Sequence, residues 1–197
     1  MDLSQFIVER MGVKKATTPP ILCWLGSRRH HISEGTGRIF LLELFAFNNS
    51  KVGAEIGVDR GVYSEQMLNA IPELELHCID SWATERSQEH YQDTVQKLSG
   101  KNAHIYKMPS MEAVKKFEDD SLDFVYIDSQ RDFNSVSMDI IEWSKKVKRG
   151  GIVSGRGYCH LFDTGVVAAV NAYTYAHNIR EWYITRELEP NYMWVKA

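Results

Sequence analysis

Apolar positions follow two alternating rhythms along this chain. Short, densely apolar runs at residues 51–56, 74–79, 103–107, 122–127 and 152–154 predict buried strands. Between them, apolar residues recur every three or four positions and predict helices at 35–48, from 62 onward, and at 84–98, 133–147 and 165–177. The expected inward faces are Ile39, Leu42, Phe45 and Ala46 in the first helix, and Val62, Met67, Leu68 and Ile71 in the second. In the helix at 133–147 they are Val136, Ile140 and Trp143. Runs at 180–185 and 192–196 close the chain as a hairpin. Strands alternating with helices predict an α/β fold around a mostly parallel sheet. Residues 1–34 read as an accessory segment, with a short helix at 4–11 and extended chain forced by Thr17-Thr18-Pro19-Pro20. Residues 35–197 read as the main domain.

The stretch that organises the domain is Val52-Gly53-Ala54-Glu55-Ile56-Gly57-Val58-Asp59-Arg60-Gly61-Val62-Tyr63-Ser64. It reads as a strand, a tight glycine turn and a helix start, the arrangement that lets backbone approach a nucleotide closely. Its spacing is E-x-G-x-x-x-G, one residue longer than the dinucleotide pattern G-x-G-x-x-G. An acid before the turn repels a pyrophosphate and suits a cationic ligand. A second acid, Asp80, ends the next strand, where its two oxygens can take both hydroxyls of a ribose. Asp80 can equally cap a helix. Ser81 and Trp82 follow it, and the indole either lines an adenine pocket or simply packs.

With these residues in place, the loop resembles the first motif of class I S-adenosylmethionine-dependent methyltransferases, (D/E)-x-G-x-x-x-G. The resemblance covers residues 36–197. It implies a Rossmann-like seven-stranded sheet in the order 3-2-1-4-5-7-6, with the last strand antiparallel. It also implies S-adenosylmethionine as cofactor, held by Glu55, Gly57, Val58, Gly61 and Ser64 of the loop and by Asp80, Ser81 and Trp82. Residues after the third strand contact adenine in that family. Ser110 and Met111 are therefore candidates, with a helix cap and a core methionine as the plain alternatives. Asp128, delivered to the carboxyl edge by the fourth strand, completes the set.

The second half narrows the resemblance. Tyr126-Ile127-Asp128-Ser129-Gln130-Arg131, then Asp139-Ile140 with Trp143, Lys148-Arg149-Gly150-Gly151 and Gly155-Arg156-Gly157-Tyr158 look like one branch of small-molecule O-methyltransferases. In some relatives, acids after the fourth and fifth strands hold a divalent metal. Here arginine stands at 131 where that branch has histidine, and Arg156-Gly157 stands where it has His-Asp. Removing an acid and adding guanidinium groups takes away both oxygen ligands and negative potential, so no catalytic metal is expected. Arg131 and Arg156 can instead hold an anionic acceptor bidentately, or neutralise Asp128 in an ion pair. His160 is the candidate base by virtue of its near-neutral titration, with Asp163 and Tyr158 in the same loop as weaker ones.

Composition changes this picture little. The chain has 197 residues, 44% hydrophobic and 25% charged, with a net charge of −3, so it carries no electrostatic footprint for nucleic acid. Its longest apolar run is broken by Glu43, and no membrane span is expected. Cys23, Cys78 and Cys159 form no C-x-x-C pair, which with the absence of a basic leader favours a cytoplasmic setting. The oligomeric state is unknown from sequence. The expected activity is metal-independent O-methylation of a small acceptor. The alternatives are a non-catalytic S-adenosylmethionine-binding protein and, against the loop spacing, a nicotinamide-dependent oxidoreductase.

Overall fold

The structure, a computed structural model, describes residues 2–10, 14–15, 30–32, 37–159, 165–185 and 187–197. Its strands are β1 (Lys14–Lys15), β2 (His30–Ile32), β3 (Val52–Ile56), β4 (Glu75–Asp80), β5 (Ala103–Lys107), β6 (Leu122–Ile127), β7 (Val147–Arg156), β8 (Trp182–Ile184) and β9 (Asn191–Val195). Its helices are α1 (Leu3–Arg10), α2 (Gly37–Phe47), α3 (Val62–Ala70), α4 (Glu85–Lys97), α5 (Ser110–Ala113), α6 (Phe133–Lys146) and α7 (Val166–Ala176).

The sheet order is β1-β2-β8-β9-β7-β6-β3-β4-β5. Counted from β3, the seven expected strands stand in the expected order 3-2-1-4-5-7-6, and β9 runs antiparallel to both its neighbours. Two short strands extend this sheet beyond expectation: β2 pairs parallel with β8, and β1 antiparallel with β2. Residues 1–34 thus contribute to the same sheet as the domain that follows. Helix α1 joins them by placing Ile7 fully inside the core, stacking Phe6 on Phe47 at 3.9 Å and pairing Arg10 with Glu43.

Strand β6 is buried along its whole length, as its apolar run requires of a central parallel strand. Alternation along the strands divides the core. Ala54, Ile56, Val125 and Ile127 face α6 and α7, while Phe124, Tyr126 and Cys78 face α1, α2 and α3. Asp123 ties two strands at their start by accepting the backbone N–H groups of Lys51 and Val52.

Three local expectations need correction. Helix α2 buries Phe40, Leu41, Leu44 and Phe45, whereas Ile39 is 62% exposed. The helix is apolar nearly all round, so its pattern does not select a face, and the aromatic pair Phe45–Phe124, stacked at 3.9 Å, decides it. Each such side chain contributes roughly 1.5–3 kcal/mol by burial. Val62 is exposed too, and Tyr63 and Ser64 take the inner face of α3. Strand β7 begins earlier than expected, at Val147. Its Lys148–Gly151 stretch bulges out of register between the pairs with Leu122 and Phe124.

Candidate active site

A cleft of about 700 Å³ opens at the carboxyl ends of β3, β4, β5 and β6. This is where strand order reverses in an open α/β sheet and where ligands sit. The volume falls within the usual range for small-molecule sites. Gly57 makes the close approach possible. Its φ is +90°, and a Cβ there would lie 2.2 Å from the carbonyl oxygen of Asp128, so only glycine lets the loop after β3 lie against the loop after β6.

Asp80 locks the glycine loop to the end of β4. One carboxylate oxygen accepts the backbone N–H of Asp59 at 3.0 Å, and the other accepts that of Trp82 at 3.0 Å. Both oxygens keep lone pairs for a ligand, and the side chain lines the cleft with Gly57, Asp59, Ser81 and Ala83. Trp82 does not line it. Its indole is 1% exposed, packs on Tyr91 and donates through Nε1 to the Asp59 carbonyl at 2.8 Å. The packed reading of Trp82 is the one this geometry supports, and it pins the loop from behind.

Glu55 also turns away. Strand alternation sends its side chain to the α3 side of the sheet, where it is 2% exposed and accepts the Ser64 hydroxyl. Burial pushes its carboxyl up to about 8, against the opposing Ser64 hydrogen bond, so the group is largely protonated at neutral pH. Glu55, Val58, Gly61 and Ser64 therefore shape the loop from below rather than line the cleft.

The far wall is built from Ser110, Met111, Ser129, Met138 and Asp139. Ser110 is no helix cap, since Pro109 holds that position in α5. Its hydroxyl donates to Asp139 and accepts the Trp143 indole N–H at 2.7 Å, while Ser129 donates to the other Asp139 oxygen. Asp139 is 4% exposed, and burial raises its carboxyl above the usual range against these two hydrogen bonds. The sequence did carry a signal for it. Asp139 sits on the stripe Val136, Asp139, Ile140, Trp143, an acid in the middle of a buried helix face.

At the cleft's other end the described residues form a cluster of five charges. Arg38 donates to Asp128 at 3.0 Å. Arg131 and Arg156 lie 3.7 and 3.6 Å from Asp128, and each approaches Glu189 at 3.0 Å. Arg131 and Asp128 line the main cleft, and with Arg156 they also border a small adjoining void. Both arginines thus form ion pairs with Asp128, as the structural alternative had it. Arg38 and Glu189 had no signal in sequence. Burial raises the Asp128 carboxyl to about 6 despite the lowering influence of Arg38 and Arg131. His160 and Asp163 lie outside the described residues. Tyr158 points into the core, donating to Asn171 at 3.0 Å. No group of three metal-ligating side chains is present among the described residues.

The methyltransferase-domain family matches residues 54–155, from the middle of β3 to the end of β7. The chain belongs to that family. It is a class I methyltransferase, with S-adenosylmethionine as its methyl donor. Solved structures agree on the fold. The O-methyltransferase TomG from Streptomyces achromogenes is 14% identical, with a TM-score of 0.64 over 81% of this chain and 79% of its own. An O-methyltransferase from Bacillus cereus is 13% identical, with a TM-score of 0.62 over 98% of this chain and 90% of its own. Among curated proteins none matches the chain in sequence. The methyltransferase's cleft fits its donor chemically. Asp59, Asp80, Asp128 and Asp139 outnumber Arg131 among its charged walls, a negative surround for a sulfonium and an ammonium.

Proposed function

We propose that this methyltransferase methylates an oxygen of a small, negatively charged acceptor without a metal ion. The observation that carries this reading is the set of three guanidinium groups, Arg38, Arg131 and Arg156, around Asp128, where related enzymes gather oxygen ligands. Three nearby cations disfavour a divalent metal there and favour an anion. Asp80 takes the ribose hydroxyls, and the Ser110–Asp139–Ser129 group faces the adenine side.

The donor supplies an electrophilic methyl group that leaves a neutral thioether behind. What the chain must do is align the acceptor oxygen, exclude water and receive a proton. Asp128 is the described group best placed to hold that proton. Its carboxyl, raised to about 6, is mostly ionised at neutral pH and remains a usable base. The guanidinium groups stabilise negative charge on the acceptor as it approaches.

Calorimetric titration with S-adenosylmethionine, S-adenosylhomocysteine and NAD tests the cofactor half of this reading. The first two should bind and NAD should not. Methyl transfer from labelled donor to a panel of hydroxylated acids then tests the rest. Turnover should persist in EDTA and rise with pH around a midpoint near 6. Loss of activity in EDTA with recovery on adding Mg²⁺ would overturn the metal-independent assignment.

A further inference from the structure

We infer that the acceptor carries a carboxylate, and that Glu189 holds the place this carboxylate takes between Arg131 and Arg156. The inference rests on the methyltransferase reading above and deepens it. Five charged groups converge from separate parts of the fold. Arg38 comes from α2, Asp128 and Arg131 from the turn after β6, Arg156 from the end of β7, and Glu189 from the loop joining β8 to β9.

An ion-pair cluster sealed in a core has to balance its charges, because an unpaired buried charge is costly. This one is neither sealed nor, among the described residues, balanced. There, three cations face two anions. The guanidinium side chains are 29, 33 and 31% exposed, against 16 and 19% for Asp128 and Glu189. The guanidinium groups are thus the more exposed members of the cluster, and Arg131 lines the cleft together with Asp128. One oxygen of Glu189 draws both Arg131 and Arg156 to 3.0 Å, so a single carboxylate already bridges the two forks.

A second observation points to the same place. The Tyr192 hydroxyl is fully buried, has no hydrogen-bond partner among the described residues, and borders a void shared with Asp128, Arg131 and Arg156. The void is about 10 Å³, no larger than one water, so it is not itself a ligand pocket. It leaves an unused donor on the wall of the void that Arg131 and Arg156 also border. An incoming carboxylate that displaces Glu189 meets two guanidinium forks, with this hydroxyl on the same void.

The test uses the full chain with S-adenosylhomocysteine present and two probe anions, benzoate and inorganic phosphate, titrated calorimetrically. Glu189→Ala removes the resident carboxylate and should tighten benzoate binding about tenfold or more over wild type. Adding Arg156→Ala to it should abolish the gain. If Glu189→Ala fails to fold, Glu189→Gln keeps the shape and drops the charge, and should shift benzoate the same way. Unchanged benzoate affinity in a variant that still binds S-adenosylhomocysteine would overturn the inference and leave the methyltransferase reading standing. A gain for phosphate and not for benzoate would overturn the carboxylate assignment. Failure of wild type to bind S-adenosylhomocysteine would instead strike the reading beneath it.

Discussion

The two banks of the cleft are built on opposite electrostatic plans. On the β3–β4 bank, the charged wall residues are the acids Asp59 and Asp80, backed by hydrogen bonds to the loop backbone. On the β6–β7 bank, three guanidinium groups crowd around Asp128 and Glu189. One bank suits a cation and the other an anion. The division matches the proposed reaction, in which a positively charged donor meets an acceptor carrying negative charge. Gly57 is the hinge of the arrangement, the point where the two banks touch through backbone.

The most damaging way to break this comparison is therefore Gly57→Ala. The new Cβ would meet the Asp128 carbonyl at 2.2 Å with the backbone at φ +90°, and neither side is a flexible side chain. We expect a loss of about 3 kcal/mol or more in urea unfolding, with donor and acceptor binding falling together. Loss of only one of the two would show that the banks are independent.

Glu55→Gln comes next and sharpens the claim that this acid is not part of the acidic β3–β4 bank. Its carboxyl is raised to about 8 in the folded protein from an ordinary 4.5. A raised pKa contributes stability that is fully present below the unfolded value and is lost as pH rises through the folded one. Wild type should therefore lose stability relative to Glu55→Gln across pH 5–8, on the order of 4 kcal/mol. Donor affinity at pH 6, where Glu55 is still protonated, should barely change. Parallel stability profiles for the two proteins would refute the buried, protonated Glu55.

Asp80→Ala has a smaller effect, confined to one bank. It removes an acceptor of two backbone N–H groups as well as the carboxylate proposed to take the ribose. A fall of about a hundredfold in S-adenosylhomocysteine affinity is expected, since hydrogen bonds to a charged group contribute about 1.5–3 kcal/mol each. Calorimetry measures it directly. An unchanged affinity would move the donor to another part of the cleft.

How much of this was readable beforehand depends on which physical rule placed each residue. Apolar runs such as Leu122–Ile127 specify buried parallel strands, and their order followed from the family resemblance. Strands β1 and β2 have only two and three residues, too short to show a pattern. For Glu55 the spacing pointed to a ligand contact, but alternation along β3 turns Glu55 with Gly53 away from the ligand face. Asp139 was legible in principle, because an acid on a buried helix stripe needs partners. Arg38 and Glu189 were not, since their meaning arises only when α2 and the β8–β9 loop fold toward Asp128.

Arg156→Ala should have the smallest effect of all on the donor, and that is its value. The side chain contacts Asp128 and Glu189 but does not line the main cleft. Its loss leaves Asp128 paired with Arg38 at 3.0 Å and Glu189 paired with Arg131 at 3.0 Å, so no buried acid is stranded. At about one-third exposure, solvent screens much of what remains, and stability should change by roughly 1 kcal/mol or less. S-adenosylhomocysteine should bind within about threefold of wild type, because the β3–β4 bank with Asp59 and Asp80 is untouched. Acceptor KM should rise by about tenfold for hydroxylated carboxylic acids and little for their neutral amides. Equal changes for acid and amide would mean that Arg156 acts through the fold alone. The anion-binding side of the β6–β7 bank would then reduce to Arg131 and Arg38.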